Sequence, residues 1–163
     1  MSDAAPAARP TRPTGLRRAL LRAPVHLYRW HLGWLLGGRF VLVEHIGRVS
    51  GARRTTVLEV VDQDAEGAIT VASGWGPTSD WFRNLRAHPD VTVQVGRRRR
   101  WVTATFPSGD EAAPALLRYA ARHPRAARAI FRYLGTPVDG SEAGFRAAAH
   151  HVPWVRFVPR PER

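Results

Sequence analysis

From residue 39 onward, short apolar runs of β type alternate with turn-forming residues, and their spacing predicts strands over about 39–45, 55–62 and 68–73. Residues 62–67 read as an acidic turn between the second and third of these. Val91-Thr92-Val93-Gln94-Val95 alternates strictly, so its valines face a core while Thr92 and Gln94 face away. Gly96-Arg97 suits the two central positions of a hairpin turn that takes glycine first, which makes 98–106 the partner strand. A last strand over 152–158 closes a barrel. Helical signals lie between the strands. Ser79 stands at the N-cap of a helix over 80–87 that His88-Pro89 ends. Ser108-x-x-Glu111 is a capping box that opens a helix to about 123, and Pro124 opens another to 134. The segment 142–150 carries a weaker helical pattern.

Upstream, 16–36 reads as a helix with Leu20, Leu21, Leu27 and Trp30 on its apolar surface and Pro24 as a kink or a fresh start. Residues 1–15 lack the apolar run of a signal peptide and read as a disordered tail. With no internal repeat and no composition break after residue 15, the expectation is one domain over 16–163, mainly β with flanking helices (α+β).

Charge adds a preference in ligands. The formal net charge is +12, from 25 basic residues against 13 acidic ones, and every basic residue is arginine. That favours anionic ligands or acidic surfaces, although an arginine-only habit also reflects overall composition. Arg97 to Arg100 reads either as a nucleic-acid contact or as a strand whose outer face is solvated. Aromatic residues are not interleaved with the arginines on one platform, so no nucleic-acid partner is expected. The longest uncharged run in 16–36, residues 30–38, is far shorter than the ~20 residues of a membrane span. That helix either packs on its own barrel or lies on an anionic membrane surface. With no cysteine there is no disulfide, thiolate nucleophile or sulfur-ligated metal, and the cytoplasm is the expected compartment. The seven histidines show no paired metal-ligand spacing, no serine sits in a nucleophile elbow, and no close carboxylate pair is present. No metal site is expected.

The richest stretch is the loop Gly47-Arg48-Val49-Ser50-Gly51-Ala52-Arg53-Arg54-Thr55-Thr56 between the first two strands. Its glycines permit positive φ, which can turn consecutive amides into one concavity, and Arg48, Arg53 and Arg54 add forked donors for phosphate or carboxylate oxygens. The loop reads as an anion cradle or as an ordinary hairpin connection. It is not a Walker loop, since the chain has no lysine, nor a Rossmann turn, since strand follows it. Glu44 and Glu59 are candidate partners for these arginines.

Gly47-Arg48-Val49-Ser50-Gly51 with Arg54-Thr55-Thr56, then Val71-Ala72-Ser73-Gly74, then Asp80-Trp81-Phe82-Arg83-Asn84-Leu85-Arg86-Ala87-His88-Pro89 and the strand from Val91, taken in this order, resemble the deazaflavin-dependent nitroreductase family. The resemblance covers roughly residues 38–106. It implies a split β-barrel, FMN-binding-like in fold, and coenzyme F420 as cofactor. It also implies hydride transfer from the reduced deazaflavin to a small-molecule electron acceptor: a quinone, a nitro compound or an activated double bond. By the same resemblance the segment from Gly47 to Thr56 lines the site of the coenzyme's phosphodiester and oligoglutamate tail. Ser73 and Gly74 approach the ring, and Trp81 and Asn84 lie beside the cofactor, with core packing and capping as their other reading. Trp75 stands where substrate stacks. Tyr119 and Tyr133 are candidate proton donors, because a phenol can donate in a shielded pocket, or else they are helix core residues. Val49 stands where many members carry lysine, and 135–151 does not match the tyrosine-rich substrate region of the best-known nitroreductases.

Two rival readings remain: a split barrel holding FMN, and a non-enzymatic carrier of an apolar ligand at the membrane surface. The oligomeric state, monomer or homodimer, is left open.

Overall fold

In the computed structural model the described residues are 37–161. The expected tail over 1–15 and helix over 16–36, with any membrane contact through it, lie outside them. Seven antiparallel strands form one sheet: β1 (Phe40–Ile46), β2 (Arg53–Glu59), β3 (Asp62–Gln63), β4 (Ile69–Ala72), β5 (Asp90–Val95), β6 (Arg98–Thr105) and β7 (Trp154–Pro159), in the spatial order β2-β1-β5-β6-β7-β4-β3. Among the described residues four helices accompany it: α1 (Asp80–Ala87), α2 (Gly109–Arg122), α3 (Pro124–Tyr133) and α4 (Glu142–Ala149). The sheet curls until β2 meets β4, the half-closed arrangement of a split β-barrel. Among the described residues, no helix is long and apolar enough to cross a membrane.

Period-two patterning explains the barrel interior. Val41 and Val43 on β1, Val91 and Val93 on β5, and Val102 and Ala104 on β6 are buried on one face, with Phe82 and Leu85 of α1 packed among them. The expected strand over 55–62 divides in two. After Glu59 the chain leaves β1, to which Val60 N–H still donates through Arg39 O at 2.8 Å, and joins β4, with Val61 N–H donating to Thr70 O at 2.9 Å. Two partners on either side of a corner cannot belong to one straight strand.

A second core lies between the helices and the sheet. Ala112, Ala113, Leu116 and Ala120 of α2 pack against Ala127 and Phe131 of α3, Phe145 and Ala148 of α4, and Trp154. Small alanines let these short helices approach closely. The capping box forms as expected: Glu111 N–H donates to Ser108 Oγ at 3.3 Å, and Ser108 N–H donates to Glu111 Oε2 at 2.7 Å. The weak pattern over 142–150 becomes helical because Ser141 Oγ accepts Gly144 N–H at 3.0 Å. Ser79 departs from expectation. It occupies the N-cap position of α1, but its hydroxyl donates to Gly76 O at 3.2 Å and caps nothing.

The acidic turn is a fastening. Asp62 is 5% exposed, and its carboxylate accepts from Arg118 at 2.7 Å and Arg122 at 2.9 Å, pinning α2 to β3, while Asp64 pairs with Arg156. Glu44 and Glu59 do pair with arginines, but with Arg99 and Arg39, not with those of the loop, because the sheet register sets those partners beside them. Removing Asp62 strands two cations that stay half exposed, so its cost falls below that of a fully buried pair. Asp62→Ala is expected to lower unfolding free energy by about 1–3 kcal/mol, against less than about 0.5 for Glu142→Gln in an exposed helix pair. Urea unfolding with an unchanged m-value checks both.

Candidate functional site

The loop joining β1 to β2 closes on itself. Gly47 N–H donates to Ala52 O and Gly51 N–H to Gly47 O, both at 2.8 Å, and Ala52 N–H donates to Ser50 Oγ at 3.3 Å. Gly51 has φ +66°, and a Cβ on Gly47 would stand 2.7 Å from Ser50 Oγ. The glycines thus shape the turn, and their amides are engaged inside it. They do not form the open nest of donors that the pattern suggested. Val49 at the tip is 91% exposed.

Beneath the loop lies Asn84, 2% exposed. Its Oδ1 accepts the main-chain N–H of Arg48 and that residue's Nη1, each at 3.0 Å, and its Nδ2 faces His45 Nδ1 at 3.2 Å. Asp80, one turn earlier on the same face of α1, accepts the Arg48 guanidinium at 3.2 Å. Arg48 is therefore a strut between loop and helix, and Asn84 is a clamp with both sides of its amide occupied. Trp81 also serves packing, edge-on to Phe82 against the barrel core.

The clamp dictates the state of His45. Because Asn84 Oδ1 accepts from Arg48, the group facing His45 Nδ1 is the amide N–H, so Nδ1 must accept and the ring must be neutral. Burial first, and then the charge of Arg54, pull its pKa down from 6.5 to about 4.

Arg53 and Arg54 remain. Both are exposed and form no ion pair among the described residues. They stand at the start of β2, the edge strand of the sheet, where Arg53 lines a small concavity of about 280 Å³ with Glu44, His45, Arg99 and Trp101. Next to them, Thr55 and Thr56 are the first residues of the strand to line a larger cavity of about 620 Å³, which neither arginine lines. Because the strand is an edge, residues from both its faces reach that cavity: Thr55, Val57 and Glu59 from one, Thr56 and Leu58 from the other. The opposite wall comes from α2, α3 and the end of β4, and it is mostly hydrocarbon.

The cavity gathers Thr55, Thr56, Gly74, Trp75, Tyr119 and Tyr133 of the expected site residues. It excludes Ser73, whose side chain points to the other side of β4; Ser73 is 1% exposed and donates to Gly76 O at 2.8 Å. That hydroxyl holds the loop after β4. Gly74 needs no small side chain for the protein's own packing, since a Cβ there would meet only Leu134 Cδ2, at an ordinary 3.6 Å. Tyr119 is buried, and its hydroxyl donates to Glu59 Oε1 at 2.9 Å. Burial first, and then this bond, raise its pKa far above that of a free phenol. Glu59 was not among the expected site residues, yet alternation from Thr55 through Val57 places it on the same face. A larger and shallower concavity of about 840 Å³ lies around Trp101, Arg99 and Arg160 on the outer sheet face and holds none of the expected site residues.

The family model described as F420H(2)-dependent quinone reductase matches residues 20–129. A candidate F420H(2)-dependent quinone reductase of Mycobacterium tuberculosis is 39% identical over 75 residues, which span 45% of this chain and 62% of that protein. Among solved structures, an F420-H2 dependent reductase (FDR-A) superposes with a TM-score of 0.51 at 21% identity, over 73% of this chain and 93% of the other. A protein of unknown function from Agrobacterium tumefaciens gives 0.54 at 19% identity, over 86% of this chain and 56% of the other. At these identities the structural likeness speaks for the fold.

Protonation of His45 sets two N–H groups against each other, so the folded state refuses a proton that the unfolded chain accepts. The stability this withholds is fully present above pH 6.5 and is lost as pH falls towards about 4, by up to roughly 3 kcal/mol. Denaturant midpoints measured between pH 7 and 4 are expected to fall less steeply in His45→Gln than in the wild type. An imidazole NMR titration is expected to show a midpoint near pH 4.

Proposed function

The chain belongs to the F420H(2)-dependent quinone reductase family, and from that membership we propose that it reduces a quinone with hydride from coenzyme F420, both held in the β2 cavity. The observation that carries the reading is the pair Arg53 and Arg54, exposed and in no ion pair among the described residues, next in the strand to Thr55 and Thr56, where the apolar cavity begins. A phosphodiester with an oligoglutamate tail joined to a flat ring needs such a site: permanent cations at one end and hydrocarbon at the other. Thr55 and Thr56 supply hydroxyls between the two, and Gly74 leaves room for a flat ring beside the end of β4.

When bound and reduced, the deazaflavin supplies the hydride. The remaining tasks fall to the chain. Arg53 and Arg54 hold the anionic arm, and the rigid loop, braced by Asn84 and Arg48, keeps them at the cavity mouth. Leu116, Ile130, Phe131 and Trp154 exclude water from the acceptor, which strengthens every fixed dipole in the cavity. Tyr119 keeps its proton, because burial and the carboxylate of Glu59 oppose its ionisation. The proton that completes reduction therefore comes from water at the open rim, where Trp75 and Tyr133 are 40% and 44% exposed. Nitro compounds and activated double bonds are further acceptors of the same flat, electrophilic kind.

Fluorescence titration with F420 tests the reading. Arg54→Ala and Arg53→Ala are each expected to weaken binding about tenfold, with affinity falling as salt rises. Arg48→Ala is expected to act through loop stability, lowering the unfolding midpoint as well. Unchanged F420 affinity in both Arg53→Ala and Arg54→Ala, or tight retention of FMN with no F420 binding, contradicts the assignment. Steady-state reduction of menadione by F420H2 checks the reaction.

A further inference from the structure

Among the described residues lining the β2 cavity, Glu59 alone carries a formal charge; the others are hydrocarbon, glycine, hydroxyl or indole. Its Oε1 accepts from Tyr119 Oη at 2.9 Å and from Arg39 Nη2 at 3.4 Å, while Oε2 has no hydrogen-bond partner among the described residues. The carboxylate side chain is 31% exposed. Arg39 is 66% exposed and does not line the cavity, lying over the Phe40 ring at 5.6 Å from its centroid, so it offsets only part of the charge that the carboxylate presents to the apolar walls. A charge acting across hydrocarbon is felt more strongly than one acting through water.

Position along the strand sharpens the effect. Arg53 and Glu59 bound β2 at its two ends, roughly 20 Å apart at the usual rise per residue. An anion inside this cavity meets no cation in the wall among the described residues and is repelled at the Glu59 end.

We infer that Glu59 acts as a charge filter on the acceptor, admitting uncharged, flat electrophiles to the inner part of the cavity and turning away those that carry a sulfonate or carboxylate. The filter rests on the cavity's being the acceptor site, as proposed above. Tyr119 is its positioning residue. Buried in the second core, it fixes the carboxylate against the wall through a hydroxyl that keeps its proton.

The test needs no cofactor. Quenching of tryptophan fluorescence in the full chain, where Trp75 and Trp154 line the cavity, reports binding of 1,4-naphthoquinone and of 1,4-naphthoquinone-2-sulfonate, two ligands that differ by one anionic group. Salt at about 0.15 M suppresses adventitious binding of the sulfonate to surface arginines. The wild type is expected to prefer the neutral quinone by about tenfold or more. Glu59→Gln, which retains an acceptor for Tyr119, is expected to remove most of that preference by tightening the sulfonate, with the neutral ligand unchanged within about twofold. Tyr119→Phe keeps the charge but releases the carboxylate from the wall and is expected to narrow the preference without abolishing it, while Arg39→Ala is expected to widen it. A preference unaltered in Glu59→Gln, or equal weakening of both ligands, overturns the filter and leaves the acceptor site standing. Failure of the wild type to bind either quinone overturns both.

Discussion

One buried carboxamide decides how this molecule presents its positive charge. Asn84 on α1 receives the main chain and side chain of Arg48 on one atom and faces His45 of β1 with the other, so loop, strand and helix meet at one group. A buried amide left unsatisfied costs about 1–3 kcal/mol, and three elements would have to shift together to break this one. The consequence is a division of labour among neighbouring arginines. Arg48 is held by Asn84 and Asp80, whereas Arg53 and Arg54 stand on a braced turn and form no ion pair among the described residues. The same geometry requires a neutral imidazole, so the buried histidine beneath the loop is locked in one state at neutral pH.

The two cores explain why a cavity exists beside that turn. Alternating valines fill the barrel, and α1 packs into it. Helices α2 to α4 build a second core against the other face around Trp154. Between the helices and the edge strand β2 the packing leaves a volume of about 620 Å³, within the range typical of small-molecule sites. Along its wall β2 runs from guanidinium through hydroxyl and hydrocarbon to carboxylate. That gradient suits an elongated ligand with one anionic end, and the corner at Val60 and Val61 ends it by carrying the chain away to β4.

Much of this architecture follows from local pattern. The clean alternation from Val91 to Val95, the capping box at Ser108 and the two-residue turn at Gly96 concern neighbours a few positions apart, where backbone sterics and capping hydrogen bonds decide the outcome. Each is found where the pattern put it. Ser79 differs because Gly76 O and Ser73 Oγ compete for its hydroxyl in a loop whose path no local rule describes. The strand expected over 55–62 divides because apolar character continues through Val60 and Val61 while their pairing partner changes, and hydrophobicity does not record which strand lies alongside.

The amino-acid order by itself therefore determined the element types, the basic turn between the first two strands and the family resemblance carried by Arg54-Thr55-Thr56 and the motif around Trp81. Tertiary packing alone decided the remainder: that Arg48 braces while Arg53 and Arg54 stay open, that Ser73 turns inward while Gly74 and Trp75 face the cavity, and that Glu59 meets a tyrosine sixty positions away. The reason is physical. Helix caps and strand alternation are settled by interactions within a few residues, whereas the partner of a charged or hydroxyl side chain depends on which distant segments the burial of two separate cores brings within hydrogen-bonding reach.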